Sequence, residues 1–157
     1  MIISASRAVG AGFVGALVNA AAIRLVQAAG IDAGTGGFAR WFFAHVNLAI
    51  GTHFPTALGP FAQEMFHTTV GIASALIYAG LFHRLLPGPR WLRGLVYCQT
   101  MWIVQAFVVL PWLGRGYMGI AISPATPYWS WALNAVYGLV IGVLYRPVSE
   151  RPHTSGR

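Results

Sequence analysis

Four long apolar runs divide the chain, at 8–29, 61–86, 91–110 and 127–145. Each is apolar on nearly every face, with no strict alternation of apolar and polar positions. That pattern predicts helices and argues against the strands of a lipid-facing barrel. Each run is about 20 residues, the length that crosses a hydrocarbon core of about 30 Å. Breakers punctuate the runs. Pro60 opens the second, LPGPR stops it, Pro111 and Gly114 close the third, and Thr126 is placed to cap the fourth before Pro127. A glycine-rich connection, 30–60, joins the first two runs and contains GGFARWFFAHVNLAIG. Its apolar piece, 38–49, is too short to span, yet Phe38, Trp41, Phe42 and His45 recur at helical spacing. It predicts a short helix that lies in the interface, dips into the bilayer or packs on the bundle. The expected fold class is all-α: an integral membrane four-helix bundle with an additional short interfacial or re-entrant helix between spans one and two. It forms a single domain, 1–147, followed by a flexible cytoplasmic tail, 148–157.

Composition strengthens the membrane reading. Of 157 residues, 57% are hydrophobic and 8% charged, where soluble domains average about 25% charged. So few charges cannot cover a water-facing surface. Net charge is +7, and all the basic residues are Arg. They flank the apolar runs, which points to topology and headgroups and away from nucleic acid. Arg7, Arg84, Arg90, Arg93, Arg146, Arg151 and Arg157 fall on one side; Arg40 and Arg115, with Arg24 near the end of span one, fall on the other. This bias places both termini in the cytoplasm. The N-terminal stretch imitates a signal peptide and is read as an uncleaved first span. Cys98 is alone, so no intrachain disulfide forms and cysteine says nothing about redox compartment.

Little in the chain suggests catalysis. No phosphate-binding loop, C-x-x-C, G-x-S-x-G or H-E-x-x-H occurs, and the acids are only Asp32, Glu64 and Glu150. An enzyme is not expected. The stretch EMFHTTVG carries the main constellation. Glu64 and His67, at i and i+3, share a helix face, with His45 and His53 on the same expected side. Imidazoles and a carboxylate can hold zinc or copper. The simpler reading takes precedence: an acid near a helix start suits the dipole, and an interfacial His needs no ligand. No cofactor is therefore expected, with a metal or haem as the alternative; His67 and His83 lie near opposite faces and cannot share one haem. His67, Ser74 and Tyr78, with Gly71, form a polar stripe along span two. Asn19, Arg24, Gln99, Gln105 and Asn134 are costly in lipid and should point inward or snorkel. Arg24 is expected to snorkel, ahead of a buried ion pair with Glu64. Gly12, Gly15, Gly71, Gly138 and Gly142 are small enough for close helix packing.

The run FHTTVGIASALIYAGLFHRLLPGPRWLRGLVYCQTMWIVQAFVVLPWLG, followed by WALNAVYGLVIGVLY, resembles the small bacterial inner-membrane proteins related to YagU. The shared pattern is a His opening span two, small residues and Tyr along it, a Pro-containing turn, an early Gly and closing Pro in span three, and a Gly-rich last span. The resemblance covers 66–145. It implies a four-span protein of the bacterial inner membrane and carries no reaction or ligand; FARWFFAHVNLAIGTHF falls outside the pattern. The first functional expectation is an accessory or structural subunit, packing against a membrane-protein partner or its own copies in the lipid bilayer. A small oligomeric transporter or channel is second, and an outward-side metal-binding or haem-linked redox protein third.

Overall fold

The computed structural model describes residues 4–32 and 37–147; the 148–157 tail, with Glu150, Arg151 and Arg157, lies outside them. The described residues form five α-helices, a short 3-10 helix at Tyr117–Gly119 and the turns between them. The α-helices are α1 (Ala5–Ala28), α2 (Gly37–Ile50), α3 (Pro60–Leu85), α4 (Arg90–Trp112) and α5 (Thr126–Leu144). Starts follow local chemistry. Pro60 and Pro127 sit in the first turns of α3 and α5, where a missing N–H costs nothing. Leu86 turns to extended backbone before Pro87, ending α3.

Three helices, α1, α3 and α4, are long and apolar enough to cross a membrane. The expected fourth, α5, is not among them, because Thr126, Pro127, Tyr128, Ser130 and Asn134 dilute its first half. Span three also runs further than its sequence suggests. The helix continues through Pro111 to Trp112. A π turn, Gln105–Val109, immediately precedes it. The widened turn lets the proline ring follow without ending the helix. A second π turn lies at Tyr78–Phe82 in α3.

Packing order follows the small residues. α1 lies against both α3 and α5, and α4 lies against α5. On the α4–α5 contact, a Cβ on Gly138 would come 2.7 Å from the Gly94 carbonyl oxygen, and one on Gly142 would come 2.6 Å from that of Arg90. Only glycine allows this backbone approach. On α1–α3, Gly12 meets Ala75, and Gly71 meets Ala16. Gly15 leaves room for the Tyr137 ring. The buried core sits toward one end, around Ala8, Ala75, Tyr78, Tyr97, Tyr137, Ile141 and Tyr145. Arg7, Arg84, Arg90, Arg93 and Arg146 surround that end, where Arg7 donates to the Arg146 carbonyl at 3.1 Å.

α3 and α4 are tied at this Arg-rich end by a four-residue turn containing Gly88 (φ +94°). They meet chiefly through the lower turns of α3, from Tyr78 onward. Toward the other end no short tether joins them, and they part. α2 bridges the gap, contacting the start of α3 and the π turn of α4. Its Phe38, Phe42 and Phe43 pack on Phe66 of α3, with ring centroids 5.5–6.0 Å apart. His45 lies 4.7 Å from the Trp112 ring of α4.

Gly138→Val is expected to force α4 from α5 and to cost at least about 1–3 kcal/mol, the usual penalty of overpacking. Thermal unfolding in detergent measures it; a midpoint equal to wild type would refute the close approach.

Candidate functional site: a chamber between α3 and α4

The parting of α3 and α4 leaves a cavity of about 1260 Å3 in the half of the bundle away from the Arg-rich end. This exceeds the ~300–1,000 Å3 typical of pockets for drug-sized ligands. Its walls come from all five helices. Phe38, Phe42 and Phe43 of α2 form the cover, and Met101, Val104 and Val109 of α4 one apolar wall.

The floor is a set of tyrosine bonds. The Tyr97 hydroxyl lies 3.0 Å from Ser74 Oγ and 3.1 Å from the Ser74 carbonyl, joining α4 to α3. Tyr137 of α5 donates to the Gly71 carbonyl. Below them Tyr78 is fully buried and donates to the Arg90 carbonyl at 3.3 Å. These hydroxyls are held inside apolar helices because each finds a partner.

The opposite wall is polar and belongs to α1 and α3. These antiparallel helices pair like rungs: Gly12 with Ala75, Ala16 with Gly71, and Arg24 with Glu64. Asn19 and His67 fall between the last two rungs, and both line the cavity. Arg24 Nη2 lies 2.6 Å from Glu64 Oε1. Arg24 stays at the exposed mouth, where a snorkelling side chain would be, and pairs there with Glu64, so the ion pair is not a buried one. The two side chains remain 71% and 44% exposed, so the pair contributes only ~0–1 kcal/mol wherever water reaches it. His67 Nε2 is buried without a partner. Asn19 Oδ1 is likewise buried without a partner.

The remaining polar residues divide. Gln105 and Asn134 line the cavity, and Asn134 Nδ2 also donates to the Ser130 carbonyl at 2.9 Å. Gln99 lies on the α4–α5 side, donating to the Trp131 carbonyl at 3.3 Å. Of the stripe on α3, His67 and Ser74 reach the cavity; Tyr78 lies beneath it. His45 is engaged on α2, with Nδ1 2.9 Å from the Trp41 carbonyl oxygen. His53 sits exposed in the following loop. Among the described residues no three His, Cys, Asp or Glu side chains come together as a metal site. His45, His53, Glu64 and His67 therefore do not converge. His83, read from sequence as interfacial, is buried against Tyr78 and Tyr145.

Several contributors were not singled out in the sequence: Tyr97, Tyr137, Phe66 and the Trp102–Ser130 bond of 3.0 Å. Tyrosines recurring within apolar helices were the available signal, since each buried hydroxyl must bond. No family model, curated protein or solved structure matches the chain.

Tyr97→Phe removes both bonds to Ser74 and is expected to cost about 0.5–1.5 kcal/mol. It should also widen the chamber, read as a longer distance between spin labels at positions 73 and 104. An unchanged distance would mean that packing alone sets the opening.

Proposed function

We propose that the chain is a multi-pass membrane protein, without catalytic activity of its own, that holds an amphipathic, lipid-like molecule in the chamber between α3 and α4. The observation that carries this reading is the chamber itself. It is large, mostly apolar, polar along one wall, and placed where two apolar helices part. A lipid tail suits the α4 wall, and a polar head suits the α1–α3 wall.

The membrane setting belongs to the same proposal. α1, α3 and α4 span, α5 completes a fourth crossing, and α2 lies at the outward interface. Exposed Phe13, Leu17, Leu25, Phe61, Ile103, Phe107 and Val143 suit lipid as solvent. The Arg-rich end favours a cytoplasmic position for both termini, and the likeness to YagU-related proteins favours a bacterial inner membrane. Loading and release of the molecule would make the chain a small carrier. An accessory role is the second reading, favoured by exposed Trp112, Tyr128, Trp129 and Trp131 near the wide end. The small-residue faces do not add to it, because they dock helices of this same chain.

Ala73 lines the chamber from α3 and is exposed. Wild-type protein in mild detergent is expected to retain a bound lipid by native mass spectrometry. Ala73→Trp should lower that occupancy at least tenfold with the unfolding midpoint unchanged. Equal occupancy in both proteins, or none in wild type, would refute the reading.

A further inference from the structure

We infer that the molecule held in the chamber carries a primary ammonium group, bound where α1 faces α3. The inference rests on the chamber being a ligand site and names the chemistry of the head.

The polar wall is rich in acceptors. Glu64 supplies a carboxylate at the mouth. Asn19 Oδ1 and His67 Nε2 are buried atoms with no partner. Glu64 and His67 are three residues apart, so they share one face of α3. Asn19 stands opposite them on α1, between the Ala16–Gly71 and Arg24–Glu64 rungs. In the tautomer that carries its proton on Nδ1, the unpartnered His67 Nε2 is an acceptor. A primary ammonium has three N–H donors and no acceptor. It matches this set of one carboxylate and two unpartnered acceptors.

Other heads fit less well. A bare anion would meet Arg24 with the Glu64 carboxylate beside it and the unpartnered acceptors of Asn19 and His67 against it. A hydroxyl donates one bond where the wall offers three accepting side chains. A quaternary ammonium has no N–H to give. When an ammonium takes Glu64, Arg24 is released and can hold an anionic group beside the amine. The amine–phosphate zwitterion of an aminophospholipid has that arrangement. A dissolved long-chain amine shares the ammonium and lacks the phosphate.

The full-length protein is to be exchanged into vesicles of equal parts phosphatidylethanolamine and phosphatidylcholine, then extracted in mild detergent and weighed intact. Both lipids are zwitterions, and only the first has N–H donors on its nitrogen. Wild type is expected to retain phosphatidylethanolamine at least tenfold over phosphatidylcholine. Glu64→Gln should bring that ratio below twofold while total lipid occupancy persists. Asn19→Leu should lower the ratio severalfold without touching the ion pair. Dodecylamine added to the vesicles reports the source. If it displaces the lipid, the ammonium suffices; if it does not while the ratio holds, the phosphate on Arg24 is also required. Equal retention of the two lipids by wild type overturns the ammonium assignment. Preference for phosphatidylcholine overturns it too, and gives the head to the phenylalanine rings of α2. If Ala73→Trp empties the chamber while the two lipids are retained equally, the head assignment alone fails. If Ala73→Trp changes nothing, the chamber reading fails and this inference with it.

Discussion

The backbone approach of α4 to α5 at Gly94, Gly138 and Gly142 decides where the other helices can go. With no Cβ on any of the three, the two helices touch over their Arg-rich halves. Gly12, Ala16, Gly71 and Ala75 bring α1 onto α3 in the same way. α1 also receives Tyr137 and Ile141 of α5 beside Gly15. Two tight pairs are thereby joined along one seam. Lipid tails are as apolar as leucine, so exclusion from water cannot drive such contacts within a bilayer; dispersion at short range can. The seam lies opposite the place where α3 and α4 separate, so the same contacts that close the bundle on one side leave it open on the other.

Polar groups then mark the boundary between closed and open. The bonds from Tyr97 and Tyr137 to Ser74 and Gly71 lie at the level where α3 leaves α4. Below them the core is filled by aromatic rings; above them the phenylalanines of α2 cover the space. A buried hydroxyl bonded across helices fixes register as well as distance, because it fits one partner. The π turns in α3 and α4 shift the faces that each helix presents on either side of them. Tyr78 lies in the first of these, facing the Arg90 carbonyl at the closed end.

The helices could be read closely from the chain. The runs at 8–29, 61–86 and 127–145 differ from α1, α3 and α5 by one to three residues at each end, and 38–49 differs from α2 by one. Apolar run length and proline position carry that information locally. Pro111 did not end α4, because the preceding π turn depends on packing that a local rule cannot see. The candidate site was legible in its parts. Glu64, His67, Asn19, Arg24, Gln105 and Asn134 stand out as polar residues in apolar helices, and all of them line the chamber. Which of them would meet was not legible. His45 and His53 share a side with His67 in the sequence, yet α2 commits His45 to Trp41 and Trp112, and His53 stays in a loop.

The sequence by itself determined that the chain is helical, where most of its helices start and stop, and that its long runs suit a bilayer, although it offered four such runs where three are long and apolar enough. These properties depend on composition and on neighbours within a few residues. Only the tertiary structure decided that Arg24 reaches Glu64 forty residues away, that Gly12, Gly15, Gly71, Gly138 and Gly142 dock helices of this same chain, and that α3 and α4 part to leave a chamber. Those outcomes depend on how faces from distant segments match in shape, and a single helix carries no record of the surface that will meet it.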